Sequence, residues 1–253
     1  MAKLDDVKGV FLDYGGVIED MQPDPMLFKK GVAILKEMLE GAGVHIEPDV
    51  LANLLREGQK GYEDWYRHNG FRELPSSEIW CSFLLKGYCR TERVRRKIEA
   101  MAEELSSIYE FYQYKRRPPA SMLHVLKYLF QNRFVLALVS NTLSRTLIPE
   151  RLHKFGVERY FTTVVLSMET GVRKPARAIF EHALKQSGMT PMQCVFVGDT
   201  MSRDIEGSRK AGFRYTVLIE SGITGEKDSG YQGSVSPDHT IEKIEDLLPL
   251  LIG

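Results

Sequence analysis

Asp13 ends an apolar run, Val10-Phe11-Leu12, and is followed by Tyr14, Gly15 and Gly16. A carboxylate at the end of a β-prone run, beside two glycines that allow close backbone approach, is a candidate reaction centre. Three later stretches have a similar form. Ser140 and Asn141 close the run LALV, Asp199 follows VFVG with Asp204 five residues on, and Lys174 precedes Pro175 in GVRKP. Together these groups supply a nucleophile, hydrogen-bond donors, a cation and three hard-oxygen carboxylates. Phosphoryl transfer needs that set, because it runs on positioning and on charge placed against the phosphoryl oxygens. Asp13, Asp199 and Asp204 suit Mg²⁺, which takes few carboxylates and keeps positions for water and substrate. Taken singly, each has an ordinary structural reading. Ser140-Asn141 is a strand-to-loop turn, Lys174 a surface lysine before a helix, and Asp204 a helix N-terminal acid favoured by the dipole. What joins them is the set of elements that carries them.

Five short apolar runs read as strands: Val10–Leu12, Phe134–Val139, Thr163–Leu166, Cys194–Val197 and Tyr215–Ile219. From residue 120 they alternate with helical patterns through Met122–Leu129, Leu147–Phe155 and Ala176–Gln186, and a short helix ends at Gly212. Alternation of this kind predicts an α/β fold, a doubly wound parallel sheet with helices on both faces. Parallel strands put their carboxyl ends on one edge, so Asp13, Ser140 and Asp199 are expected to converge there. Between residues 21 and 115 the pattern is helical, with essentially no strand. Apolar residues recur at helical spacing from Pro25 to Leu39, from Pro48 to Leu55, and after a Thr91 cap through Tyr112. Gly58 and Gly61 are expected to break the second of these helices. Lys115-Arg116-Arg117 before Pro118-Pro119 is expected to be a solvated hinge. The first strand must rejoin the later ones. The expected organisation is therefore an α/β core of residues 1–20 and 116–253 with a helical insertion at 21–115. Ser221–Pro237 is a looser Gly/Ser-rich stretch, and a last helix runs through Ile244, Leu247 and Leu251.

The 253 residues carry 34 Lys+Arg against 34 Asp+Glu, which removes any whole-molecule argument for a nucleic-acid or membrane partner. No apolar run reaches bilayer length, and the first residues lack a signal-length apolar core. Cys81, Cys89 and Cys194 show neither a disulfide framework nor zinc-ligand spacing. The expectation is a soluble cytoplasmic protein of a reducing compartment.

In this order and context, VFLDYGGV, LALVSN, GVRKPARAIF and GDTMSRD resemble the four motifs of the haloacid dehalogenase superfamily over the whole chain. The resemblance implies a Rossmann-like core and, for the insertion, a four-helix-bundle cap. It implies that Asp13 attacks phosphorus and carries an aspartyl-phosphate. Asp13, the Gly15 carbonyl, Asp199 and Asp204 would hold Mg²⁺. Gly15, Gly16, Ser140, Asn141 and Lys174 would contact the transferring group, and Lys174 would also neutralise Asp13. The implied substrate is a small phosphate ester, and the implied assembly a monomer or homodimer. One departure stands out. Phosphatases of the family usually carry a second Asp two residues after the nucleophile as general acid–base, and here that position is Gly15. Such a group is worth about 10²–10⁴-fold. Glu19 and Asp20 are the nearest acids in sequence. Two alternatives follow from the departure: a metal-independent 2-haloacid dehalogenase or phosphonatase-like hydrolase, and a weakly catalytic phosphate-binding protein. In the insertion, Arg56, Lys60, Tyr62, Trp65, Tyr66, Arg67 and His68 form a mixed cluster that would contact substrate or, alternatively, divide between bundle core and solvated face.

Overall fold

The apolar runs become strands because burial on both faces of a parallel sheet rewards continuous β-branched and aromatic sequence. In the computed structural model, which describes residues 4–222, 224–228 and 230–252, the strands are β1 (Gly9–Leu12), β2 (Asp20–Pro23), β3 (Tyr114–Arg117), β4 (Val135–Ser140), β5 (Phe161–Leu166), β6 (Cys194–Gly198), β7 (Tyr215–Ile219) and β8 (His239–Ile241). Six of them form one sheet in the order β5-β4-β1-β6-β7-β8, in which neighbouring strands pair parallel. β1 lies at the centre. Leu12 is in register with Leu138 of β4 and Val197 of β6, so the residues that follow these strands emerge at one edge. The chemistry-bearing ends therefore share a side, as parallel topology requires.

One face of the sheet is an aromatic core. Phe180, from the helix Arg177–Ser187, packs edge-to-face on Phe196 at 5.1 Å, and Phe213 packs the same way on Phe11 at 5.1 Å. Ala137, Val139, Val165, Ile179 and Cys194 belong to the same cluster. Three strands lie outside the expected set. β2 and β3 pair with each other as a ribbon where the chain leaves for the helical region and returns. β8 is a short edge strand of three residues, too brief to register as a period in the sequence.

The described chain divides into two compact units, one of Met1–Gln22, Arg116–Asn141 and Pro149–Gly253, the other of Pro23–Lys115 and Thr142–Ile148. The first contains the sheet. The second is helical. Its helix Pro25–Gly41 starts where Asp24 accepts from the amides of Met26 and Leu27, at 2.9 and 3.0 Å. Thr91 caps Glu92–Tyr112 through the Val94 amide.

The expected break at Gly58 and Gly61 does not occur, because Pro48–His68 is one continuous helix. Gly58 is there for proximity. A methyl group on it would lie 2.6 Å from the Phe83 carbonyl oxygen, so only glycine lets this helix approach the turn Trp80–Leu84 so closely. The mixed cluster divides by chemistry. Tyr62 is fully buried, receives the Leu74 amide at 3.1 Å, bonds Glu73 and stacks on Trp65; Tyr66 is buried too. Arg56, Lys60, Arg67 and His68 are exposed. Residues 142–148 belong to this unit through acidic side chains of Glu92–Tyr112. Glu103 accepts from the amides of Arg145 and Thr146, and Glu110 from the Leu143 amide at 2.7 Å. No described helix is long and apolar enough to cross a membrane.

Candidate active site

Asp13 leaves β1 with its own amide bonded to the Val197 carbonyl, so the backbone is still sheet-like where the carboxylate appears. Its Oδ1 accepts from the Tyr14 amide at 2.7 Å. The chain then turns tightly. The Tyr14 carbonyl accepts from the amides of Ile18 and Glu19, and the Gly16 amide donates to the Glu19 carbonyl. Gly16 has φ +84°, and a methyl group there would lie 2.7 Å from Asp199 Cβ. Glycine is thus required twice over at this position, by backbone and by space.

Lys174 reaches the same point from the loop before Arg177–Ser187. Its ammonium lies 2.6 Å from Asp13 Oδ1 and 2.8 Å from Asp204 Oδ1, and it donates to the Val139 carbonyl at 2.9 Å. It is 3% exposed. Burial works against the charge, but Asp13 and then Asp204 outweigh it and hold Lys174 above the ordinary lysine value. Asn141 fixes the backbone of this lysine with a reciprocal pair: its Nδ2 donates to the Lys174 carbonyl at 3.0 Å, and its Oδ1 accepts from the Lys174 amide at 2.8 Å. Ser140 is buried at the end of β4.

Asp199 and Asp204 come from the loop after β6, where Met201–Ile205 forms a turn of π-helix. Such turns recur at functional sites, because the widened backbone re-aims a side chain. Asp204 Oδ2 accepts from the amide and hydroxyl of Thr200, at 3.0 and 2.5 Å. Gly198 makes room for it, since a methyl group there would lie 2.7 Å from Asp204 Oδ2.

Asp13, Asp199 and Asp204 are all buried, and one oxygen from each lies within 4.8 Å of the others. Three carboxylates gathered in one buried site favour added positive charge. The all-oxygen donor set and the two glycine gaps fit a small hard divalent cation. Asp13, Gly15, Gly16, Ser140, Asn141, Lys174, Asp199 and Asp204 thus all lie in the sheet-bearing unit. Asp13, Lys174, Asp199 and Asp204 meet directly, Gly16 abuts Asp199, Gly15 lies in the turn after Asp13, and Asn141 acts on Lys174.

Three supporting groups were missed by sequence reasoning. The Ser221 hydroxyl donates to Asp199 Oδ2 at 2.7 Å, and the Thr224 hydroxyl to the Asp199 carbonyl at 2.7 Å. Asp228 accepts from the amides of Met201 and Ser202, at 2.6 and 3.0 Å. All three follow β7 in a stretch expected to be loose. The available signal was position, because polar residues just after a parallel strand emerge at the edge that carries the site.

Two expectations about the neighbouring acids and bases change. Arg116 is not a solvated hinge residue: its guanidinium is buried and lies 3.2 Å from Glu19 Oε2. Glu19 is not a substitute proton donor, because its carboxylate is fully buried and accepts from Arg116, Arg151 and the Tyr14 hydroxyl.

The profile of a family described as "Haloacid dehalogenase-like hydrolase" matches residues 50–218, about two thirds of the chain, a span that includes Ser140, Lys174, Asp199 and Asp204. Over 102 residues the chain is 35% identical to a glyceraldehyde 3-phosphate phosphatase of Methanopyrus kandleri, covering 40% of this chain and 43% of that protein. Over 103 residues it is 34% identical to the human N-acylneuraminate-9-phosphatase, covering 40% of each. The matched stretch thus spans less than half the length of these relatives. A 2-haloacid dehalogenase from Pseudomonas syringae has a similar fold, with TM-score 0.66 at 19% identity over 96% of this chain and 97% of that one. So does a HAD phosphatase from Thermococcus onnurineus, with TM-score 0.57 at 19% identity over 98% and 99%.

Proposed function

This chain belongs to the haloacid dehalogenase-like hydrolases, and from that premise we propose that it is a Mg²⁺-dependent phosphohydrolase of small phosphate esters. The supporting observation is the buried cluster in which Lys174 bridges Asp13 and Asp204, with Asp199 alongside. The relatives named as phosphatases of small metabolites favour the same class of substrate.

In this reading Asp13 is the nucleophile. Its Oδ1 is held by Lys174 and the Tyr14 amide, which sets the carboxylate's orientation for in-line attack. A bond forms from Asp13 to phosphorus, and the ester P–O bond breaks with its electron pair leaving on oxygen. Water then attacks phosphorus, the P–O bond to Asp13 breaks, and inorganic phosphate and the free carboxylate result. Lys174 offsets negative charge throughout, and the Ser140 hydroxyl and Asn141 amide donate to the phosphoryl oxygens. Mg²⁺, held by Asp13, the Gly15 carbonyl, Asp199 and Asp204, would supply further positive charge against the phosphoryl group. With Gly15 in the acid–base position, leaving groups that depart without a proton are favoured.

The test is phosphate release from p-nitrophenyl phosphate with and without Mg²⁺. Turnover that disappears in EDTA and in Asp13→Asn is expected. Turnover indifferent to both would remove Asp13 and the metal from the reaction. Mg²⁺ binding without turnover on a broad panel of esters would turn the reading to a phosphate-binding protein.

A further inference from the structure

The turn that follows Asp13 ends in a buried ionic cluster that the reaction above does not use. Glu19 is fully buried, and its carboxylate is gripped from three directions. Arg116, at the returning strand β3, donates to Oε2 at 3.2 Å, Arg151 of the helix Leu147–Phe155 donates to Oε1, and the Tyr14 hydroxyl donates to Oε2 at 2.8 Å. The arginines lie 97 and 132 residues from Glu19 in sequence, and the Arg151 guanidinium also lies 4.8 Å from the centre of the Phe155 ring.

The cluster is mechanically continuous with the nucleophile. Glu19 closes the Tyr14–Glu19 turn by its backbone in both directions, since its amide donates to the Tyr14 carbonyl and its carbonyl accepts from Gly16. Its side chain closes the same turn through the Tyr14 hydroxyl. The Tyr14 amide in turn holds Asp13 Oδ1, and Gly16 abuts Asp199. A buried carboxylate held by two guanidinium groups is a rigid anchor, because losing one partner leaves a charge in a low-dielectric interior.

We propose that Glu19 is a positioning residue: clamped by Arg116 and Arg151, it sets the Tyr14–Glu19 turn and so aims the Asp13 carboxylate and the Gly15 carbonyl. The inference rests on the reading of Asp13 as the nucleophile. It gives the two arginines a role at the site without substrate contact. It also explains why a charged residue is buried where a surface loop would otherwise be expected.

The experiment compares the wild-type chain with Tyr14→Phe and Glu19→Gln. Three quantities are read: kcat and KM on p-nitrophenyl phosphate at saturating Mg²⁺, the melting temperature, and Mg²⁺ affinity by calorimetry. Tyr14→Phe removes one bond to Glu19 and keeps the ring, so it reports even where Glu19→Gln does not fold. The expected result is a fall in kcat of about tenfold for Tyr14→Phe, and more for Glu19→Gln, with KM within about twofold, because the loss is of alignment and not of ground-state binding. Mg²⁺ affinity should weaken about threefold or more, as for loss of a partner that orients a metal ligand. A purely structural cluster would lower the melting temperature and leave kcat, KM and Mg²⁺ affinity of the folded variants at wild-type values, and that outcome overturns the inference. Wild-type protein that binds Mg²⁺ but turns nothing over sinks the phosphohydrolase reading alone, and the calorimetric comparison then decides on Glu19. A wild type that does not bind Mg²⁺ removes both.

Discussion

Lys174 is a buried cation that bridges Asp13 and Asp204, so its removal separates charge effects from shape effects. Lys174→Met keeps the stem and deletes the ammonium. Turnover should fall by at least about 10²-fold, the scale of losing a preorganised electrostatic partner. In EDTA the variant should be destabilised by about 3 kcal/mol, because Asp13 and Asp204 lose this ammonium in a buried site. Added Mg²⁺ should restore part of that stability, and thermal melts in EDTA and in Mg²⁺ measure it; equal melting temperatures in the two buffers would count against a cation among these carboxylates. Gly15 tests the other half of the chemistry. Its position has no side chain to protonate a leaving group, so the wild type should strongly prefer aryl over alkyl phosphates. Gly15→Asp should narrow that preference by about tenfold or more, within the range of general acid catalysis. The ratio of kcat/KM on the two ester classes is the measurement, and a wild type that treats them alike has its proton donor elsewhere.

Elements explain why a local propensity argument fails at Gly58. In an exposed helix interior, Gly→Ala stabilises by roughly 1 kcal/mol. Here the added methyl meets the Phe83 carbonyl at 2.6 Å and Leu84 Cα at 2.7 Å, and backbone cannot swing aside as a side chain can. Gly58→Ala should therefore destabilise by about 1–3 kcal/mol, the ordinary cost of overpacking. Gly61, in the same helix, has 3.8 Å to its nearest neighbour and lies on its exposed side, so Gly61→Ala should stabilise. Denaturant melts of the two variants should move in opposite directions, and a shift of the same sign would mean that helix propensity alone governs both sites. The parallel strands show the complementary case, where local pattern and packing agree. β1, β4 and β6 are continuous apolar runs with nearly every residue buried, and their polar ends emerge together because the register holds them level.

At the scale of the whole molecule, balanced charge conceals a local concentration of acid. The chain sums to zero, yet Asp13, Asp199 and Asp204 are gathered in one buried site. A divalent cation that binds the folded state alone stabilises by mass action, about 2.7 kcal/mol at a hundredfold excess over its dissociation constant. For a chain of this size that corresponds to a rise in melting temperature of roughly 5–10 °C. Mg²⁺ titration of the thermal transition should show the rise, and Asp199→Asn should abolish it. An unchanged melting temperature across the titration would remove Mg²⁺ from the site. Because the described chain forms two units, two transitions are expected, with the metal acting on the one that reports the sheet.

Much of the fold and the meeting of the candidate site residues were legible in the sequence, for one physical reason. A buried parallel strand must be continuously apolar, so a polar residue that ends such a run marks the carboxyl edge, and strand–helix alternation makes that edge common to all. Asp13, Ser140, Asp199 and the membership of this chain in a hydrolase family follow from that rule and from motif order. Only the tertiary structure decided which distant residues meet. Nothing in a local period links Glu19 to Arg116 and Arg151, Ser221 to Asp199, or Gly58 to the Phe83 backbone, because these contacts depend on which elements pack side by side. The same holds for the Asn141 side chain, which fixes the Lys174 backbone from 33 residues away. Sequence specifies what each element can bury and what it must expose at its ends; the contacts between ends are settled when the elements pack.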